Sequence, residues 1–166
     1  MLLIPLPGRE HLKDVIMLSQ TVEYALRAMV YLAARPGESH KTREIARTTQ
    51  VPPSYLPKIL QSLAKAGLVA SQRGLRGGAV LTRDPGEISL LDVVDAVDPI
   101  RRIDTCPLSL KSHEKGLCPL HRRLDEVYAA TREAFAATAL DELLRDESGC
   151  EPFLEEFLSG TESATP

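Results

Sequence analysis

The residues from Thr42 to Arg83 constrain this chain more than any others, because they prescribe a helix, a turn, a second helix and a two-stranded wing. Thr42 can cap a helix start, and Ile45 with Ala46 gives that helix an apolar side. Val51-Pro52-Pro53 stops the helix and turns the chain. Ser54 can cap the next helix. Pro57 then falls in its first turn, where a missing N–H costs little, and Gly67 ends it. Leu56, Ile59, Leu60 and Leu63 recur at helical spacing and face inward. Ser54, Tyr55, Lys58, Gln61 and Lys65 are left for the other faces. From Lys41 to Arg83, eight Lys and Arg side chains stand against Glu44 alone, although the whole chain carries a net charge of −3. A basic surface segment on an acidic protein suits a polyphosphate, since each neutralised phosphate releases condensed counterions. A plain surface helix pair with solvated charges has the same periodicity, but the wing argues against it. Its tip, Arg73-Gly74-Leu75-Arg76-Gly77-Gly78, combines tight turning and close approach with two guanidinium groups suited to phosphates or a narrow minor groove. The expected partner is double-stranded DNA. Ser54, Tyr55 and Lys58 are the candidate contacts from the second helix, Arg73 and Arg76 from the wing, and Lys41 and Arg43 on the backbone.

The rest of the chain supplies a scaffold and a second site. Residues 1–16 fit no element. Their apolar run is too short, and proline comes too early, for a secretory signal, so Met17 is the expected start, a genuine arm being the alternative. Ser19 to Ala34 predicts a helix capped by Ser19, with Val22, Ala25, Leu26, Met29, Val30 and Ala33 as its apolar stripe. Glu23 and Arg27, one turn apart on it, read as a surface ion pair. Ser89-Leu90-Leu91-Asp92 opens a further helix with a capping box, Leu91, Val94 and Val97 continue one face, and Pro99 ends it. Between Arg101 and Leu120 the chain is irregular and contains CPLSLKSHEKGLCPLH, which places Cys106, His113, Cys118 and His121 within sixteen residues. An irregular backbone can wrap around an ion or cluster, and proline after cysteine occurs in iron–sulfur loops. Isolated thiols and surface imidazoles are the plainer reading. Pro119 then starts a long helix on which Leu120, Leu124, Val127, Thr131 and Ala134 form a seam, for its own core or for another helix. Thr138 to Leu144 predicts a short helix capped by Thr138 with Asp141 three residues on. The tail from Glu147 is acidic. In it Cys150 reads as incidental, Phe153, Leu154, Phe157 and Leu158 can dock a last turn, and the final residues are expected to be disordered. Three cysteines, an odd number, argue against a disulfide framework and suit a reducing cytoplasm, and no run is long enough to span a membrane.

VPPSYLPKILQSLAKAGLVASQRGLRGGAVL resembles the DNA-binding core of the IscR/NsrR family of bacterial winged helix-turn-helix regulators, and the resemblance extends from about Met17 to Leu144. It rests on the Tyr-Leu-x-Lys-Ile-Leu helix, the Ala-Gly-Leu-Val step and the Arg-Gly-x-x-Gly-Gly wing. It implies a mainly α fold with a small β-wing, plus a long helix that builds a two-fold homodimer. It also implies three cysteines at six-residue steps, of which this chain keeps Cys106 and Cys118 but has Ser112 at the middle position. His121 matches the histidine that follows the last cysteine in the cluster-assembly regulator. Glu23, followed by Tyr24-Ala25-Leu26, matches the acidic cluster ligand of the nitric-oxide-sensing members, supplied from the partner subunit. Serine is a poor cluster ligand, which leaves three options. Cys106, Cys118, His121 and Glu23 hold an iron–sulfur cluster, [2Fe-2S] being favoured. Or His113 replaces the missing cysteine. Or zinc occupies a Cys2His2 site.

The expected organisation is an extension over 1–16, a winged helix-turn-helix over 17–98, a sensor loop over 99–121, dimerisation helices over 119–146 and an acidic tail over 147–166. The expected function is a homodimeric transcription regulator, most often a repressor in the resembling family, that senses redox, nitric oxide or iron–sulfur status. A zinc-stapled or metal-free regulator answering a thiol modification or a partner protein is the alternative, and a protein-interaction module on the same basic face is a further one. No nucleophile elbow, phosphate loop, catalytic carboxylate pair or metalloprotease helix occurs, so an enzyme is not expected.

Overall fold

The first helix is the post around which the others stand. In this computed structural model, which describes residues 18–72, 77–108, 110–111 and 116–145, α1 spans Gln20–Ala33 and is capped by the Ser19 hydroxyl, which accepts from the Val22 N–H. Its burial is wider than the expected stripe: Ala28, Tyr31 and Leu32 are buried with Val22, Ala25, Met29, Val30 and Ala33, because α1 is packed by three other helices and the wing.

α2 (Thr42–Thr49) and α3 (Leu56–Lys65) form the helix-turn-helix. Neither expected hydroxyl cap is present. Thr42 is already helical and Lys41 is the cap residue, because His40 is paired with the wing and the helix begins two residues after it. Ser54 lies within the turn. Tyr55 precedes the first helical residue, and the Pro52 carbonyl accepts from Tyr55 (2.9 Å) and Leu56 (3.4 Å), doing the work assigned to Ser54. Pro57 stands in the first turn and Gly67, at φ +74°, follows the end of α3, as the sequence predicts. Leu56, Ile59 and Leu63 are buried and Leu60 packs against the same core.

β1 (Val69–Gln72) and β2 (Gly78–Leu81) pair antiparallel, with Val69 opposite Leu81 and Gln72 opposite Gly78. His40 adds a third edge that the sequence does not announce: its N–H donates to the Ala79 carbonyl at 2.9 Å and its carbonyl accepts from Ala79 at 2.8 Å. The approach needs glycine at 78, where an added Cβ would lie 2.1 Å from the His40 carbonyl oxygen.

α4 (Leu90–Val97) carries the expected Ser89–Asp92 capping box. Its buried face is Leu90, Val93 and Val94, one residue round from the predicted one, with Val97 packed at its margin. α5 (Pro119–Ala137) has no fully buried residue. After it the predicted helix is absent. Thr138–Leu140 runs extended against the start of α4: the Leu90 N–H donates to the Thr138 carbonyl and the Leu140 N–H to that of Ile88, both at 2.9 Å. Backbone pairing to Ile88–Leu90 therefore displaces helix formation there. Leu140 is fully buried in the core, and only a 3-10 turn follows, at Glu142–Leu144.

Candidate nucleic-acid interface and candidate metal centre

α2 and α3 both carry exposed basic side chains. Lys41, Arg43 and Arg47 are exposed along α2, and Ser54, Tyr55, Lys58, Gln61 and Lys65 are exposed along α3 and its approach. Tyr55 stays 53% exposed although its ring packs edge-on against Tyr24 with centroids 6.0 Å apart, so it is braced from behind and open in front. Arg27 ties the same wall together. It pairs with Glu23 as the spacing predicts, lies 5.9 Å from the Tyr24 ring centre, and donates to the Thr49 carbonyl at the end of α2 (3.5 Å). Arg73 and Arg76 lie outside the described residues.

The one acid of the segment is engaged by Tyr31 and His40. Glu44 accepts from the Tyr31 hydroxyl at 2.8 Å, and its Oε1 lies 3.2 Å from the His40 Nδ1. Burial alone would raise its carboxyl, but Tyr31 and His40 outweigh that and hold it below the usual range. Burial, then Glu44, pushes the Tyr31 phenol up to about 12. A charge count along the sequence sets Glu44 against the lysines and arginines. The tertiary structure engages it elsewhere, and a tyrosine in the last turn of α1 gives no sequence signal of that role.

The second site forms where the loop after α4 meets the start of α5. Cys106 is buried in the loop, Cys118 is the residue preceding α5, and His121 is in its first turn. The two sulfurs lie 3.9 Å apart, and the His121 Nδ1 lies 3.4 Å from the Cys106 Sγ and 3.2 Å from that of Cys118. The nearby His121 backbone N–H, then the His121 ring, draw the Cys118 thiol down to about 7 against the opposing effect of burial. The loop is pinned to α5 at two heights. Arg102 donates twice to the Asp125 carboxylate (2.6 and 2.5 Å), which also accepts from the Ile103 N–H (2.9 Å). Arg132 grips Asp95 (2.8 and 3.0 Å) and the Ile100 carbonyl (2.9 Å). Arg102 first, then the Ile103 N–H, brings Asp125 down to about 2. These clamps join residues 22 to 37 apart in sequence, and no local pattern signals them.

Cys106, Cys118 and His121 are thus brought together as expected, and they form the one His/Cys/Asp/Glu group among the described residues whose ligand atoms converge closely enough for a metal ion. Within one chain Glu23 is engaged by Arg27 instead. His113, and with it Ser112, lies outside the described residues, as do Met17 and the tail with Cys150, Phe153, Leu154, Phe157 and Leu158. Beside this centre α5 exposes Leu120 (61%), Leu124 (38%) and Val127 (47%), so the predicted seam does not turn into its own core. No described helix is long and apolar enough to cross a membrane.

Residues 18–146 match the sequence profile of the Rrf2 family, described as an iron-dependent transcriptional regulator. A helix-turn-helix regulator of Aquifex aeolicus is 29% identical over 135 residues, covering 80% of this chain and 94% of its own length. The NsrR regulator of Bacillus subtilis is 34% identical over 90 residues, 54% of this chain and 62% of its own. Among solved structures, CymR, the global cysteine regulator of B. subtilis, superposes with a TM-score of 0.63 at 30% identity, covering 78% of this chain and 96% of that one. IscR of T. potens superposes at 0.64 with 21% identity, covering 93% and 96%, a likeness of fold alone.

Proposed function

This chain belongs to the Rrf2 family of winged helix-turn-helix transcription regulators, which are not enzymes, and we propose that it is a homodimeric repressor whose grip on DNA is set by the state of the Cys106–Cys118–His121 centre. One observation carries the proposal. The three donor atoms converge at the foot of α5, the helix whose exposed Leu120, Leu124 and Val127 offer a seam to a second copy. Two-fold pairing along α5 would bring two α3 helices to two half-sites, and a two-fold protein reads a two-fold site. Ser54, Tyr55 and Lys58 then meet bases or phosphates, Lys41 and Arg43 meet the backbone, and Arg73 and Arg76 act from the wing.

The centre is chemically suited to a thiolate-seeking metal. The resemblance implies a [2Fe-2S] cluster that would need Cys106, Cys118 and His121 with Glu23 of the other subunit, whereas zinc would need the three local donors alone from this chain. When bound, such a group supplies a redox- or ligand-sensitive crosslink between the loop and α5. This chain's residues supply the coupling. Arg102 and Arg132 hold the loop to α5, and Arg132 reaches Asp95 on α4, which packs against α1 and α3. A change at Cys106 or Cys118 is therefore transmitted to the reading helix through α4, and a coupling of about 1–3 kcal/mol would change DNA affinity roughly 5- to 150-fold.

A second reading has its own observation. Two sulfurs 3.9 Å apart, one with its thiol drawn down to about 7, are placed for oxidation to a disulfide by a peroxide-type oxidant, which takes up the two electrons.

The test is binding of full-length protein to a two-fold duplex, with the centre loaded, stripped and oxidised, across a salt series. The proposal expects affinity to change at least 5-fold with the state of the centre and to fall steeply with salt. It also expects Lys58, Arg73 and Arg76 changed together to alanine to reduce the salt slope by about three. Affinity indifferent to that triple change would remove DNA reading by this face.

A further inference from the structure

The three donor atoms make a triangle whose shape discriminates between metal groups. In a two-iron cluster the protein ligands come in pairs, one pair to each iron, and ligands of different irons are held apart by the core of the cluster. Only two of any three ligand atoms can then be near neighbours. In a four-iron cluster each iron takes a single protein ligand, and none are neighbours. A single tetrahedral ion behaves differently: bonds of about 2.3 Å to sulfur and about 2.0 Å to nitrogen, opened at the tetrahedral angle, put every sulfur–sulfur edge near 3.8 Å and every sulfur–nitrogen edge near 3.5 Å. Here the edges are 3.9, 3.4 and 3.2 Å, so all three atoms are mutual neighbours.

The triangle is also fixed by groups that do not depend on a metal. Cys118 and His121 are one turn apart at the start of α5, and Cys106 is 8% exposed on a loop clamped by Arg102 to Asp125, four residues beyond His121. Spreading the three donors over two irons would require one corner to move away from the other two, either Cys106 out of its buried position or a ligand at the start of α5.

We propose that Cys106, Cys118 and His121 form three corners of a mononuclear tetrahedral site for one thiolate- and imidazole-seeking divalent ion, with the fourth corner exchangeable, and that the chain does not build a two-iron cluster. The inference takes the metal-governed regulator as its premise and names the kind of metal group. Binding converts both thiols to thiolates and releases their protons to solvent, with no electron transferred. Zinc and ferrous iron share this chemistry, and the metal content of protein isolated without oxygen distinguishes them.

The experiment uses full-length protein, stripped with chelator under nitrogen and titrated with cobalt(II). The expected result is one cobalt per protomer, with visible bands of tetrahedral intensity, sulfur-to-cobalt charge transfer in the near ultraviolet, and displacement by zinc. Cys118→Ser and His121→Ala, both at partly exposed positions, should each weaken cobalt binding at least 10-fold. Circular dichroism establishes that the variants are folded. Reconstitution with ferrous iron and sulfide that yields two irons and two acid-labile sulfides per protomer, lost in Cys118→Ser, overturns the inference, as does octahedral cobalt or none. DNA affinity measured on the same samples keeps the two proposals apart. One cobalt bound with unchanged DNA affinity defeats metal control but keeps the mononuclear site. Two irons with altered affinity does the reverse.

Discussion

Glu44 shows how far one residue's meaning depends on its neighbours. Its carboxyl is held below the ordinary value of 4.5, so its contribution to stability is complete above that value and disappears as pH falls through the folded one. Tyr31 has the opposite sign. Its phenol is raised from 10.0 to about 12, so its contribution is complete below pH 10 and is lost as pH climbs through about 12. Tyr31→Phe should therefore flatten the alkaline limb of a stability–pH profile and, by freeing Glu44, make the acid limb shallower. Urea midpoints across pH would show it, and an unchanged alkaline limb would contradict the assignment. At the other site Cys118 has its thiol near 7 rather than an ordinary value of 9.0. In metal-stripped protein its alkylation should have a midpoint near pH 7, and His121→Ala should move that midpoint up. A midpoint in the ordinary thiol range with His121 intact would contradict the assignment.

Among the elements, the wing and α5 each depend on a partner that their own sequence does not contain. The wing is a two-stranded hairpin stabilised by a single residue of backbone from the α1–α2 connection, through His40 and Ala79. Gly78→Ala would set a methyl group against the His40 carbonyl at 2.1 Å, backbone against backbone, so the edge must separate. The expected cost is about 1–3 kcal/mol, the range for overpacking a close contact. Thermal unfolding should register it, with DNA affinity falling as the wing loosens. A neutral Gly78→Ala would mean that the His40 edge contributes nothing. α5 is held to its own chain by salt bridges on one side, Arg102 to Asp125 and Arg132 to Asp95, while its leucines and valine face outward.

At the scale of the whole molecule the proposed two-fold assembly rests on those outward residues. Leu124→Glu places a charge in the middle of the seam and should convert a dimer to a monomer by sedimentation, with operator affinity falling at least 100-fold as one half-site is lost. The core would be untouched, because Leu124 is 38% exposed within one chain. A Leu124→Glu protein that remains dimeric would exclude α5 as the two-fold interface.

The sequence by itself determined the helix-turn-helix, the wing, the capping box at Ser89 and the pairing of the Cys118 thiol with the His121 imidazole. All of these are written in short-range spacing: glycines and prolines at turns, apolar residues at helical intervals, a cysteine one helical turn from a histidine. Only the tertiary structure decided that Glu44 faces Tyr31, that His40 completes the wing, that Thr138–Leu140 pairs with Ile88–Leu90 instead of coiling, and that Cys106 joins Cys118 and His121 as the third corner of one triangle. Each of these joins residues distant in the chain. A backbone or side-chain hydrogen bond between distant segments forms only once the core has brought them together, and it then overrides the local preference that any single stretch expresses.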